Sequence, residues 1–140
     1  MKQLSLKSIS VFLICILGTI AVSCRHQGEW NKMVWKVDNG QKANNQTYSL
    51  SAEGDIITFT CINYSSPWIC DALSGYERYY PDIENNDIFN LSTDWFKAQI
   101  VGNVLRVSLE PNTTEQERAL ELTVSAGDTF HTFKFKQKAE

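Results

Sequence analysis

The chain has little of the residue that enzymes most often use to move protons. It holds two histidines in 140 residues, His26 and His131, and neither stands in a pattern that pairs a nucleophile with a base. Zinc-ligand spacings and glycine-rich phosphate loops are missing as well. Acidic residues are plentiful, but a domain of this size that fills its core with its own aromatics leaves little room for the cleft a carboxylate pair needs. The expectation is a protein that is not an enzyme and carries no cofactor. Positive charge is also short: 13 Lys and Arg stand against 16 Asp and Glu, a formal net charge of −3. Nucleic acid calls for a clustered basic surface and is not an expected partner. No sustained helical period, βαβ alternation or internal repeat occurs.

What is present begins at the amino end. Lys2 and Lys7 lead into the uncharged run Ile9 to Val22, and Ser23 stands directly before Cys24. As a helix that run of about 14 residues spans only about 21 Å, against roughly 30 Å of hydrocarbon in a bilayer. It reads as the core of a signal peptide over residues 1–23. Ala21-Val22-Ser23-Cys24 resembles the lipobox of bacterial lipoproteins, with Ala21 where leucine is usual. The resemblance implies that Cys24 is acylated and holds the chain in the cell envelope, at the outer membrane, with the leaflet left open. An ordinary secretory signal cut near the same place is the alternative. Without Lys2 and Lys7 the 13 basic residues fall to 11 against 16 acidic ones, a net charge of −5.

Residues 24–46 read as a polar tether with a turn at Asn39-Gly40, broken by Trp30, Met33, Trp35 and Val37. Trp35 and Val37 alternate with Lys36 and Asp38, as in a short strand docked on the domain. From Thr47 to Glu140 the period is two. Ile57-Phe59-Cys61, Leu105-Val107-Leu109, Leu120-Leu122-Val124 and Phe133-Phe135 each alternate with polar residues. Such strands have one dry and one wet face. Several of them, divided by turn clusters at Gly54-Asp55, Pro111-Asn112 and Ala126-Gly127-Asp128, predict an all-β antiparallel sandwich or barrel.

The order Gly54, Trp68, Trp95-Phe96, strand Leu105 to Leu109, Pro111-Asn112, Arg118, strand Leu120 to Val124 and Phe133-Lys134-Phe135-Lys136-Gln137 resembles the BACON domain. That family is a Bacteroidetes-associated immunoglobulin-like module often found at the amino end of carbohydrate-active lipoproteins. The likeness covers roughly Thr47 to Lys138 and departs from the family between the two tryptophans, where Ile69 to Asp94 is longer. It implies an immunoglobulin-like antiparallel β-sandwich. It further implies glycan binding, or service as a spacer or partner subunit within an envelope complex.

Trp68 and Trp95 could serve as flat platforms for a sugar, but a sandwich of this kind buries a tryptophan between its sheets. That places Trp68 in the core and leaves Trp95 open to either role. The segment after Trp68 gathers Tyr76, Tyr79 and Tyr80 beside Asp82 and other carboxylates and amides. Tyrosine pairs an apolar face with a polar tip, so Tyr76, Tyr79, Tyr80, Asp82 and Trp95 are the candidate ligand-binding residues. The same segment could instead fold back and bury one or two tyrosines over a sheet edge. Asp82, Glu84, Asn85 and Asp87 lack the ligand order and glycine of an EF-hand, so no metal is expected. Cys61 and Cys70 could meet as a disulfide across the Asn63 to Pro67 turn or remain separate thiols. Lys134, Lys136 and Lys138 share one face of the last strand, as a docking stripe for an acidic partner or as protection of a sheet edge.

Overall fold

The computed structural model describes residues 31–38, 42–44 and 46–140. The expected export signal, Cys24 and the Asn39-Gly40 turn lie outside the described residues. The described chain forms ten strands and no helix: β1 (Trp35–Val37), β2 (Thr47–Leu50), β3 (Asp55–Cys61), β4 (Trp68–Ser74), β5 (Glu77–Tyr79), β6 (Asn90–Ser92), β7 (Phe96–Val101), β8 (Val104–Leu109), β9 (Arg118–Ala126) and β10 (Thr129–Gln137). The first sheet runs β1-β3-β8-β7-β6 and the second β2-β10-β9-β4-β5. Every pairing is antiparallel except that of β2 with β10, where Thr47 lies beside Lys134 and Leu50 beside Gln137. Two such sheets, with the amino-terminal strands divided between them, form an immunoglobulin-like β-sandwich.

The alternation in sequence is the alternation in space. Ile57, Phe59 and Cys61 on β3 and Leu105, Val107 and Leu109 on β8 point inward from the first sheet. Leu120, Leu122 and Val124 on β9 and Phe133 and Phe135 on β10 answer them from the second. The centre is aromatic: the Phe59 ring lies 4.4 Å from Phe133, and Tyr48 stands edge-on to Phe59 at 5.1 Å. Burial of each large apolar side chain contributes roughly 1.5–3 kcal/mol, and edge-to-face pairing adds about 1 kcal/mol.

One end of the sandwich is closed by buried polar residues. Buried Asn112 donates through Nδ2 to the carbonyls of Gln116 (2.8 Å) and Lys138 (3.0 Å), and its Oδ1 accepts from the Thr114 hydroxyl at 2.7 Å. Buried Gln137 donates to the Glu110 carbonyl at 2.9 Å. Gly54 enters β3 with φ +83°, and a Cβ there would stand 2.4 Å from the Leu109 carbonyl oxygen. Only glycine fits both the backbone conformation and that approach.

One expectation is corrected and two are made more specific. Trp68 is not a core residue: it is half-buried and lies opposite Ser125, which in turn lies opposite exposed Phe130 on the outer face of the second sheet. The tryptophan packed at the sandwich interior is Trp35, whose ring meets Phe133 edge-on at 5.1 Å. Trp35 sits on β1, paired with β3 from Trp35 opposite Cys61 to Val37 opposite Phe59. Met33 is also buried, so the structured patch expected within residues 24–46 docks on the domain through Met33 and the short strand β1. The extra length from Ile69 to Asp94 is not one long loop. It carries most of β4 and all of β5 and β6, leaving residues 80–89 as the crossover between the sheets.

Candidate functional site

The candidate residues divide between two places. Tyr79 and Trp95 come together, because the β5 edge of the second sheet and the turn before β7 in the first both close over Phe96. The Tyr79 ring stands edge-on to Phe96 at 5.8 Å, and the Trp95 ring does the same at 5.3 Å. The Tyr79 hydroxyl donates to the Glu77 carboxylate, and that bond, with burial and the charges of Glu77 and Asp94, holds its pKa above the usual phenol value. Arg118 lies over Trp95, its guanidinium carbon 5.3 Å from the ring centroid, which places a cation on one face of the indole. Both rings are half-buried supports of the sandwich end, as the fold-back alternative has it for Tyr79.

Tyr76, Tyr80 and Asp82 are exposed and stand apart from that pair. Tyr76 occupies the β4–β5 turn beside Gly75, where Ser74 pairs with Glu77. Tyr80 and Asp82 begin the crossover. Asp82 Oδ1 accepts from the Asn85 backbone at 3.1 Å and Oδ2 from its amide at 2.6 Å, which lowers the carboxyl pKa. Both oxygens serve a turn. Among the described residues no three His, Cys, Asp or Glu side chains gather as metal ligands.

Cys61 and Cys70 are free thiols, which corrects the disulfide alternative. Cys61 ends β3 in the first sheet and is buried, whereas Cys70 is the additional residue of a bulge on β4 in the second. Burial pushes the Cys70 thiol pKa up, with the Asp71 charge adding to it and a bond to Ser125 opposing it.

A larger concavity lies elsewhere, where β2 pairs only with Lys134 to Gln137 and leaves the earlier half of β10 beside the amino-terminal segment. This groove has a volume of about 470 Å³ and is lined by Lys32, Ala43, Gln46, Tyr48 and the β10 residues from Phe130 to Lys134. Phe130 exposes its ring to solvent, while Tyr48 and His131 are half-buried. Burial, followed by the charge of Lys32, lowers the His131 pKa, so its imidazole is neutral near pH 7 and offers one donor and one acceptor. Burial raises the Tyr48 pKa and keeps its phenol protonated. The groove thus combines aromatic surface with neutral hydrogen-bonding groups and two lysines. Sequence reasoning missed it because Lys32, the pair Gln46 and Tyr48, and Phe130 are far apart in the chain. The one available signal was Phe130, a large apolar residue on the wet side of the final strand's alternation.

No family model matches the chain, and no curated protein matches it. Among solved structures it is similar to a protein from Bacteroides thetaiotaomicron determined by NMR, at 29% identity and a TM-score of 0.69, over 82% of this chain and 93% of that one. It also has a likeness to the M1 domain of titin, at 7% identity and a TM-score of 0.43, over 79% of this chain and 96% of that one.

Proposed function

We propose that this chain is a non-catalytic, BACON-like recognition module, anchored through acylated Cys24 to the outer membrane, and that it binds a glycan in the groove beside β10. The groove carries this reading. Its volume of about 470 Å³ falls in the range of small-ligand sites, roughly 300–1,000 Å³. Its lining pairs aromatic surface at Tyr48 and Phe130 with the amide of Gln46 and the imidazole of His131, the groups a hydroxyl-rich ring needs for stacking and hydrogen bonding. The absence of catalysis is supported by His131, the sole histidine among the described residues. Its ring contacts are Phe133 at 4.5 Å and Trp35 at 6.2 Å, and the charge acting on it is that of Lys32. The envelope address rests on the lipobox-like Ala21-Val22-Ser23-Cys24.

Glycan-array binding of the full chain, compared with Phe130→Ala, tests the groove. Phe130 is 62% exposed, so its removal leaves the core intact while it strips the groove of a stacking surface. The expected result is binding to a defined glycan class that weakens about tenfold or more in the variant, in line with the loss of one aromatic contact. Silence across the array would overturn glycan recognition and favour a spacer or a partner subunit of an envelope complex. Metabolic labelling with a fatty acid, lost in Cys24→Ala, is the expected signature of the anchor.

A further inference from the structure

The outer face of the first sheet presents Lys36, Lys97 and Arg106, whereas the carboxylate on its strands, Asp55 at the exposed start of β3, stands in phase with inward Ile57 and opposite Leu109. In a chain with more acidic than basic residues this is an unbalanced surface. Lys97 lies opposite Ser108 and Gln99 opposite Arg106, so the two cations occupy one diagonal of a four-residue square and Ser108 and Gln99 the other. Diagonal neighbours across two strands are about 7 Å apart, close enough to repel. Among the described residues neither cation has a carboxylate partner within salt-bridge distance. The same four side chains line a shallow basin of about 190 Å³. Its amide wall is fixed: Gln99 Nε2 donates to Asn90 Oδ1 at 2.9 Å, and Asn90 Nδ2 donates to Asp87 at 2.8 Å. That network occupies the Gln99 donor and engages the Asp87 carboxylate.

We propose that this basin is a second binding site, independent of the groove on the other sheet, and that it takes the carboxylate of an acidic polysaccharide. A carboxylate seated between Lys97 and Arg106 removes their mutual repulsion, and the planar guanidinium can hold it through two parallel bonds. The Ser108 hydroxyl lies within the basin, and Thr58 flanks it opposite Arg106 on β3, so hydroxyl groups border the charged centre where a sugar ring would rest. The four lining side chains are all polar or charged and include no aromatic, and the exposed apolar groups on this face are the aliphatic side chains of Ile56, opposite Ser108, and Val101, little surface to anchor in lipid. That favours a glycan strand over a membrane headgroup.

Titration calorimetry of the full chain with an oligogalacturonide, its fully methyl-esterified counterpart and a hyaluronan oligosaccharide tests the site. The acidic ligands should bind, the ester should not, and affinity should fall as salt rises. Lys97→Gln and Arg106→Gln should each weaken binding about tenfold. Lys136→Gln, on the opposite sheet and outside the groove, should leave it unchanged. Both basin residues are solvent-facing, so the melting temperature should not move. Equal binding of the ester, wild-type binding by the Lys97→Gln/Arg106→Gln double variant, or no binding of either acidic ligand would overturn the proposal. So would binding to anionic vesicles in the absence of binding to the oligosaccharides. Phe130→Ala reports on the groove alone, so the two sites can fail separately.

Discussion

The two outer faces of the sandwich handle charge in opposite ways. On the second sheet Lys134 lies 3.1 Å from Glu121, Lys136 2.6 Å from Glu117 and Arg78 2.7 Å from Asp71. On the first sheet Lys97 and Arg106 share a basin, and neither has such a partner among the described residues. The paired lysines are the ones that draw attention in sequence, because they alternate regularly along the final strand. Their pairing makes them a solvated, neutralised surface, and β2 already covers the edge they were expected to protect. Cation number along a strand therefore says little about binding. What counts is which residues the register places across from them.

The comparison holds only if the division between face and core is drawn correctly, and the two tryptophans test that division most severely. Trp35→Ala removes a ring packed against Phe133 and should cost about 3 kcal/mol, read as a fall in urea midpoint with an unchanged slope. Trp68→Ala, on the outer face, should cost only about 1 kcal/mol. The reverse ranking would return Trp68 to the interior and erase the second sheet's outer face as described.

Asn112→Ala comes next and separates scaffold from ligand surface. It deletes a buried group that bonds Gln116, Lys138 and Thr114, and each unsatisfied partner costs on the order of 1 kcal/mol, so a loss of about 2–3 kcal/mol is expected. Binding of acidic oligosaccharides, measured well below the lowered melting temperature, should be retained. A variant that keeps its stability and loses binding would make this end of the molecule part of the site.

Much of the sandwich was legible because period-two patterning reports directly which face of a strand is dry. β3, β8, β9 and β10 follow the pattern over the alternating residues named from sequence, and β9 departs from it only at its end, where Val124, Ser125 and Ala126 are all buried. Trp68 was misplaced because its burial was inferred from the tryptophan such sandwiches hold between their sheets, a place that Trp35 on β1 takes here, while Trp68 lies just ahead of the bulge that shifts the phase of β4. The extra segment hid β5 and β6 because three-residue strands carry too little alternation to read. Both concave sites were beyond the sequence. Lys97 and Ser108, like Phe130 and Lys32, become neighbours only through pairing and crossover.

A smaller effect follows from His131, which sits in the groove next to Lys32. Burial lowers its folded pKa, so between that value and the unfolded value near 6.5 the unfolded chain binds more protons than the folded one. Stability is then full above about pH 6.5 and declines as pH falls through that window. Thermal melts between about pH 7.5 and 5.5 should show the decline, and His131→Phe should flatten it while preserving the ring contact with Phe133. An unchanged slope in the variant would assign the decline to other groups.

The smallest effect bears most directly on the two faces. Ser108→Glu places a carboxylate opposite Lys97 and beside Arg106, where repulsion is uncompensated, and should stabilise the fold by about 0.5 kcal/mol at low salt. Glu121→Gln removes a carboxylate from a lysine that already has one and should destabilise by a similar amount. Both differences should vanish near 1 M salt, where the Debye length is about 3 Å. Ser108→Glu should also abolish binding of acidic oligosaccharides, because the new side chain fills the place of the ligand's carboxylate. If it leaves stability unchanged, the basin cations are already neutralised in solution, and the asymmetry between the faces is one of geometry and not of charge.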